Sequence, residues 1–129
     1  MTTTTATKAS IVTAMFTVAD QDTALAFYTG TLGWEVRADD RFGPDGESRW
    51  IEVAPAGSVA RLALSPPMGG TPGGAAIGVE VADVLVEHAR LKALDGVDVD
   101  AEPMQMEGTP RMFALRDPDG NQVWVVSAD

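Results

Sequence analysis

The side chains that most often carry catalysis are scarce in this sequence of 129 residues, which contains no cysteine and one histidine, His88. Without cysteine there are no disulfides, thiolate metal sites or cysteine nucleophiles. None of the serines lies in a recognisable arrangement with the single imidazole. His88 follows Val84 by four residues and precedes Leu91 by three, so the three side chains share one helical face. This spacing predicts a structural histidine.

The charge of the chain narrows its possible partners. Nineteen acidic residues against nine basic ones give a net charge of −10, which repels phosphate backbones and anionic lipid, so we expect neither nucleic acid nor membrane as a partner. With 45% hydrophobic and 22% charged residues the composition is that of a globular domain. Residues 1–9 resemble neither a secretory signal nor a transit peptide, which predicts a flexible tail on a cytoplasmic protein.

The first half of the chain predicts the element order β-α-β-β-β. Ile11–Val18 is apolar and β-branched, as in a strand buried on both faces. Asp20 then offers a helix N-cap, Leu25 and Tyr28 follow at helical spacing together with Leu32, and a glycine ends the helix. The predicted strands span residues 11–18, 34–38, 49–53 and 60–65.

The second half repeats this order at a constant offset of 63 residues, from 18 to 81 and from 33 to 96. Val18-Ala-Asp20 recurs as Val81-Ala-Asp83, and Gly33 recurs as Gly96. The repeat predicts a helix at 84–94 and strands at 75–81, 97–101, 110–115 and 122–127. We therefore predict a tail (1–9) and a single domain (10–129). The domain consists of module one (10–66), a Pro/Gly-rich linker (67–74) and module two (75–127).

Two motifs in these modules identify a family resemblance. The first is Val18-Ala-Asp-Gln-Asp-Thr-Ala-Leu-Ala-Phe-Tyr28 with Leu32-Gly33, and the second is Arg116-Asp-Pro-Asp-Gly-Asn121. With them the chain resembles the vicinal oxygen chelate superfamily, which includes glyoxalase I, bleomycin-resistance proteins and extradiol dioxygenases. The resemblance implies an α+β fold in which two pseudo-twofold-related βαβββ modules form a curved mixed sheet around a cleft, and commonly a homodimer.

The resemblance also implies a divalent metal ion held from four strand positions. In this chain those positions are Thr13, Ala63, Ala76 and Trp124. They offer one hydroxyl and no imidazole or carboxylate, whereas a divalent transition metal needs about three such protein ligands. A register slip of one residue does not restore the site, because the residues on either side of each position are all apolar. The sequence thus predicts no metal and no other cofactor.

Strand alternation predicts which side chains line the cleft. Indoles, thioethers and a few polar groups are typical of pockets for flat organic molecules. The predicted carboxylates on cleft-facing strand positions are Glu52 and Glu80. The predicted ligand-binding residues are Thr13, Met15, Trp50, Glu52, Arg61, Ala63, Ala76, Met112, Gln122 and Trp124.

The leading hypothesis is a glyoxalase/bleomycin-resistance-like protein that sequesters a small, flat or cationic organic molecule without metal. The alternative is an enzyme of this family, a lyase, isomerase or dioxygenase, that uses non-standard metal or acid–base groups. For acid–base chemistry the candidates are Glu52, Glu80, Arg61 and Tyr28. In a third interpretation the cleft residues fill the space between the sheets or a dimer interface. The sequence leaves open whether the modules pair within or between chains, and whether 102–108 is a lid or an ordinary loop.

Overall fold

The computed structural model describes residues 5–68 and 70–128, which form two four-stranded mixed sheets. The first sheet has the order β1-β4-β3-β2, and the second has the order β5-β8-β7-β6. In each sheet the first and last strands of the module are parallel and the other pairs are antiparallel. The predicted α+β fold of two βαβββ copies is thereby confirmed. The strands are β1 (Thr13–Thr17), β2 (Glu35–Phe42), β3 (Ser48–Ala54), β4 (Arg61–Ser65), β5 (Ala76–Val81), β6 (Asp98–Val99), β7 (Met112–Arg116) and β8 (Gln122–Ser127).

Each module has one helix, and both helices begin at the predicted aspartate caps. Helix α1 (Gln21–Ala26) follows Asp20, whose carboxylate accepts hydrogen bonds from the Asp22 amide at 3.2 Å and the Thr23 hydroxyl at 2.7 Å. Helix α2 (Val84–Lys92) follows Asp83, which accepts from the amides of the second and third helical residues.

The first helix differs from its prediction after Ala26. Instead of continuing as a regular α-helix to Leu32, the chain makes a π-helical turn, Phe27–Thr31, in which the Leu32 amide donates to the Phe27 carbonyl at 3.1 Å. Gly33 ends it with φ of +76°, a conformation that L side chains disfavour.

Several element boundaries also differ from the sequence prediction, and the first strand is shorter than predicted, Thr13–Thr17 instead of 11–18. β2 extends to Phe42, because pairing with β3 overrides the weak strand propensity of the intervening charged residues. β6 shrinks to Asp98–Val99, and α2 ends two residues early. The prediction that the first strand is buried on both faces was wrong. Its sheet has a helix on one side only, and Met15 on the other side is 61% exposed.

The helix-facing sides of both sheets contribute to a common hydrophobic core. Phe16, Ile51 and Leu64 of the first sheet and Phe113 and Val125 of the second belong to one buried cluster. The opposite side of each sheet is consequently turned away from this core. Burying the shared core supplies most of the driving force for folding.

The two sequence motifs that carry the family resemblance, at 18–33 and 116–121, contact each other where the modules join. The Tyr28 hydroxyl donates to the Asp117 carboxylate at 3.0 Å, and the Asn121 amide group donates to the same carboxylate and to the Thr17 carbonyl, each at 3.1 Å. All three side chains are buried. Burial, with the nearby Asp117 charge, raises the pKa of Tyr28 far above its usual range. These residues act as a structural joint between modules.

Within the described part of the chain, no helix is long and apolar enough to cross a bilayer. The division into tail, module one, linker and module two remains a prediction. Of the residues it assigns, 1–4 of the tail, 69 of the linker and 129 at the end lie outside the described residues.

Candidate functional site

The sides of the two sheets that face away from the core hold all ten predicted ligand-binding residues. We call them the first face and the second face. Strand register shows which residues lie on each face, because residues paired across neighbouring strands share a face. On the first face Met15 pairs with Ala63, which pairs with Glu52. On the second face Gly78 pairs with Trp124, which pairs with Ala114. The first face carries Thr13, Met15, Trp50, Glu52, Arg61 and Ala63. The second face carries Ala76, Gly78, Glu80, Met112, Ala114, Gln122 and Trp124.

The centre of the first face is polar. Glu52 is only 7% exposed, and both of its carboxylate oxygens have partners. One accepts a hydrogen bond from the Thr13 hydroxyl at 3.2 Å, and the other accepts from the Arg61 guanidinium at 3.2 Å. The Arg61 side chain is 43% exposed, so the ion pair has one buried and one half-exposed partner. The Glu52 charge is therefore neutralised within the face.

One end of the first face opens into an apolar cavity of about 350 Å³. Met15 and Trp50, two of the predicted ligand-binding residues, line it. Phe42 and Met68 line it as well, although Phe42 lies outside the predicted strands and Met68 lies in the predicted linker. Phe42 reaches the cavity because β2 is longer than predicted and pairs it with Ser48. The apolar character of Phe42 and Met68 in polar surroundings was the signal that could have found them.

The second face has an aromatic centre. Trp124 lies between two small residues, Gly78 on β5 and Ala114 on β7. Its indole nitrogen donates to the Gln122 side-chain oxygen at 3.1 Å. Met112 lies one row further along β7. Small neighbours on both sides of a tryptophan leave a flat apolar surface of the kind on which aromatic ligands stack.

The residues at the four metal positions implied by the sequence do not fit a divalent ion. The Thr13 hydroxyl already donates to Glu52, the two alanines have no donor atoms, and the Trp124 indole nitrogen carries a proton. The described residues contain no group of three or more His, Cys, Asp or Glu side chains that could hold a metal ion. These four positions therefore provide no site for a divalent metal ion.

The predicted acid–base candidates occupy different places. Glu52 and Arg61 lie together on the first face, whereas Glu80 is exposed on the second face. Placing Tyr28 near a cleft was wrong, because the helix turns it into the core, where its hydroxyl is bound to Asp117. His88 is structural, as predicted, with its Nε2 atom 2.8 Å from the Asp100 carbonyl and its ring packed edge-on against Phe113.

The predicted residues form two groups instead of one. Six of them share the first face and four share the second. The cavity at Trp50 contains predicted residues of the first face only, whereas a second cavity of about 250 Å³ is lined by Arg61 together with Trp34 and with Gly78 of the second face. Met104, in the segment considered as a lid, exchanges two backbone hydrogen bonds with Met112, at 2.8 and 3.0 Å. These bonds hold the segment at the edge of the second sheet.

Comparisons with known proteins agree with this arrangement. The family model described as Glyoxalase/Bleomycin resistance protein/Dioxygenase superfamily matches residues 10–125. A superfamily member from Sphaerobacter thermophilus DSM 20745 is 32% identical with a TM-score of 0.83, covering 93% of this chain and 98% of its own. TnmS3, an antibiotic binding protein from Streptomyces sp. CB03234, is 30% identical with a TM-score of 0.82, covering 97% and 100%. YetH of Bacillus subtilis (strain 168), an uncharacterized protein, is 38% identical over 108 residues, which are 81% of this chain and 86% of YetH.

Fold and faces thus define a protein of paired βαβββ modules whose outward sheet faces carry aromatic, thioether and a few polar side chains. The chain belongs to the glyoxalase/bleomycin resistance protein/dioxygenase superfamily.

Proposed function

We propose that this protein binds a small, flat organic molecule against its outward sheet faces and sequesters it without a metal ion. The observation that carries the proposal is the exchange of residue types at the metal positions. Where a metal site needs imidazole and carboxylate, the faces present Trp124, two alanines and a hydroxyl that is already bound. Trp50 and Met15 add an apolar cavity large enough for a small ligand.

The relatives support a binding role. TnmS3, which matches nearly the whole chain, is described as an antibiotic binding protein. By analogy we propose a hydrophobic natural product or similar compound as the class of ligand for this chain. The analogy concerns the fold and the outward faces, so the test must identify the residues that contact the ligand.

We further propose that two copies of the chain form a homodimer that closes the site. Each outward face is turned away from the core of its own chain, and the edge strands β1 and β5 each have a free side within their sheets. A twofold axis would set the first face of one copy opposite the second face of the other, because the modules are internal repeats. Sedimentation analysis should then give twice the mass of the chain, and a monomer that binds ligand equally well would contradict this closure.

The binding proposal is tested by tryptophan fluorescence. A panel of planar compounds is titrated into the wild-type protein and into Trp50→Phe, Trp124→Phe and Trp34→Phe variants. Trp34 packs against Tyr28 with ring centroids 5.2 Å apart and lines the second cavity, not the one at Trp50, so its variant reports binding in that other cavity. We expect quenching with a Kd of about 10 µM or lower, lost partly in the first two variants only. No binding by any compound, or quenching that depends on Trp34 alone, would contradict the proposal.

The absence of metal from this function is tested separately. Isothermal titration with Mn, Fe(II), Ni and Zn salts should give no stoichiometric binding tighter than about 1 µM. Stoichiometric submicromolar binding would mean that other residues hold an ion, and an enzyme of this superfamily would then replace the binding protein as the favoured function.

A further inference from the structure

The first face carries a charged constellation that a purely apolar ligand would not need. Glu52, Thr13 and Arg61 come from three neighbouring strands and are joined through the two oxygens of one buried carboxylate. Ala63, which lies beside Glu52 in the same row, is buried, whereas the Arg61 side chain is 43% exposed and lines the second cavity. The guanidinium is therefore the part of the constellation that a ligand can reach.

The charges of this constellation favour one kind of ligand. Both Glu52 oxygens are occupied, so the carboxylate has little remaining attraction for a cation. Arg61 has five N–H donors in a fixed planar fork. Among residues 5–68 and 70–128, Glu52 is the one side-chain or backbone acceptor that its guanidinium contacts. The unfilled hydrogen-bonding capacity of the first face is thus cationic and donating.

The buried carboxylate also fixes the position of the guanidinium. An arginine held by a nearly buried partner loses less side-chain freedom when it binds a second acceptor. A charge-assisted hydrogen bond from such a group is about twice as strong as one between neutral groups. The face therefore has a preorganised site for an oxygen atom of the ligand.

The apolar part of the first face lies further along the same strand as Arg61. Arg61 and Ser65 are the ends of β4, so about 13 Å of strand separates them, and Ser65 lines the cavity with Trp50 and Met15. A fused aromatic ring that lies along β4 on the first face would extend from the Arg61 guanidinium towards this cavity.

We propose that Arg61, held by Glu52 and Thr13, binds an oxygen acceptor at the edge of a flat aromatic ligand. The ligand class is consequently an aromatic carboxylate, phenolate or ketone, and the cationic class allowed by the net charge is disfavoured. This inference rests on the proposed function, since it specifies the ligand of the same site.

The test is a set of four probes on one ring system. They are 2-naphthoate, 2-acetonaphthone, 2-ethylnaphthalene and 2-naphthylmethylammonium, which share the naphthalene ring and differ in the charge and acceptor of the substituent. Titration calorimetry of the wild-type protein should rank them in that order. We expect 2-naphthoate to bind about tenfold more tightly than the ammonium compound.

The variant Arg61→Gln should bring the four affinities within about twofold of one another, because the charged donor is gone. Arg41→Gln removes the same charge from an exposed position of β2 and should leave the ranking unchanged. Thermal unfolding checks that Arg61→Gln is folded, because this variant removes the ion-pair partner of the nearly buried Glu52, although the glutamine amide can still donate to that carboxylate.

The outcomes separate this inference from the proposed function. If all four probes bind the wild-type protein equally, the acceptor site is wrong and sequestration of flat molecules stands. A ranking that survives Arg61→Gln overturns the assignment to Arg61. If no probe binds at about 1 mM, both proposals are overturned.

Discussion

The two outward faces differ in chemistry although they belong to repeats of one another. The first face has a buried carboxylate at its centre, bound by a threonine and an arginine, and the second face has a tryptophan between two small residues. By strand register, Glu52 on the first face corresponds to Ala114 on the second, since each pairs with the matching residue of its neighbouring strand. On the core side the modules are alike, with an aspartate-capped helix packed on apolar strand residues.

The two repeats keep similar residues where the fold needs them, on the core side, and differ at outward positions that the fold does not constrain. Core positions must be apolar in both modules because both helices pack against them. Outward positions are free to differ, and here they have become a polar half and an aromatic half. A ligand held between such faces would be bound in one orientation, with its oxygen at Arg61 on the first face and its ring between the two faces.

The largest expected effect on stability concerns the structural joint between the modules, formed by Tyr28, Asp117 and Asn121. Asp117→Ala would leave the buried Tyr28 hydroxyl, the Asn121 side-chain amide and two backbone amides without this acceptor. We expect a loss of about 3 kcal/mol in the free energy of unfolding, measured in urea. Asp119→Ala, which removes one exposed hydrogen bond to Ala19, should cost less than about 1 kcal/mol. Equal losses would contradict the role of the joint.

The second prediction compares a carboxylate added at the centre of the second face with removal of the charge at the centre of the first face. Ala114→Glu places at a fully buried position a carboxylate that lacks the threonine and arginine of the first face. We expect a loss of about 2 to 3 kcal/mol on unfolding, because an unpaired polar group is desolvated. Glu52→Gln keeps both hydrogen bonds possible and should cost about 1 kcal/mol or less. If Ala114→Glu lowers the free energy of unfolding no more than Glu52→Gln does, the two faces do not differ in the way described.

A third change separates the roles of the faces in binding. Trp124→Ala should weaken all four naphthalene probes by about tenfold, because the ring loses its stacking surface and the substituent does not matter. Arg61→Gln, in contrast, should change the ranking. Calorimetry measures both variants, and Trp34→Phe, which changes the second cavity, is the comparison. A Trp124→Ala variant that loses only 2-naphthoate would assign the oxygen to the second face.

The smallest effect concerns a helix cap. Hydrogen bonds from the Thr23 hydroxyl and the Asp22 amide lower the pKa of Asp20 below its ordinary value of 3.8. A lowered pKa in the folded state means that this carboxylate stabilises the protein above pH 3.8 and that the contribution is lost as the pH falls through the lower, folded-state value. The difference in urea midpoint between wild type and Asp20→Ala should hold at neutral pH and shrink as the pH falls below 3.8. Asp20→Asn keeps the cap and should remove the pH dependence; a difference that grows in acid would contradict this.

Much of the fold was predictable because its signals are local. The caps at Asp20 and Asp83 and the stop at Gly33 each depend on a few adjacent residues, and the structure confirms them. The outward positions of Trp50, Glu52 and Trp124 followed from strand alternation alone.

The remaining features depend on contacts between distant residues. The extension of β2 to Phe42 comes from pairing with β3, and this brings Phe42 into the cavity with Met68. The Glu52 contacts join strands that are far apart in sequence, so periodicity could place its side chain on a face but could not name its partners. The turn of each face away from the common core is likewise a property of how the modules pack.

The most direct test of ligand binding on the outward faces uses the three indole N–H signals of the protein. Each is assigned in a two-dimensional nitrogen–proton spectrum by its loss in the Trp34→Phe, Trp50→Phe or Trp124→Phe variant, and 2-naphthoate is then titrated. We predict that the Trp50 and Trp124 signals shift along one saturating curve while the Trp34 signal stays in place. A shift confined to Trp34, or none at all, would contradict the account.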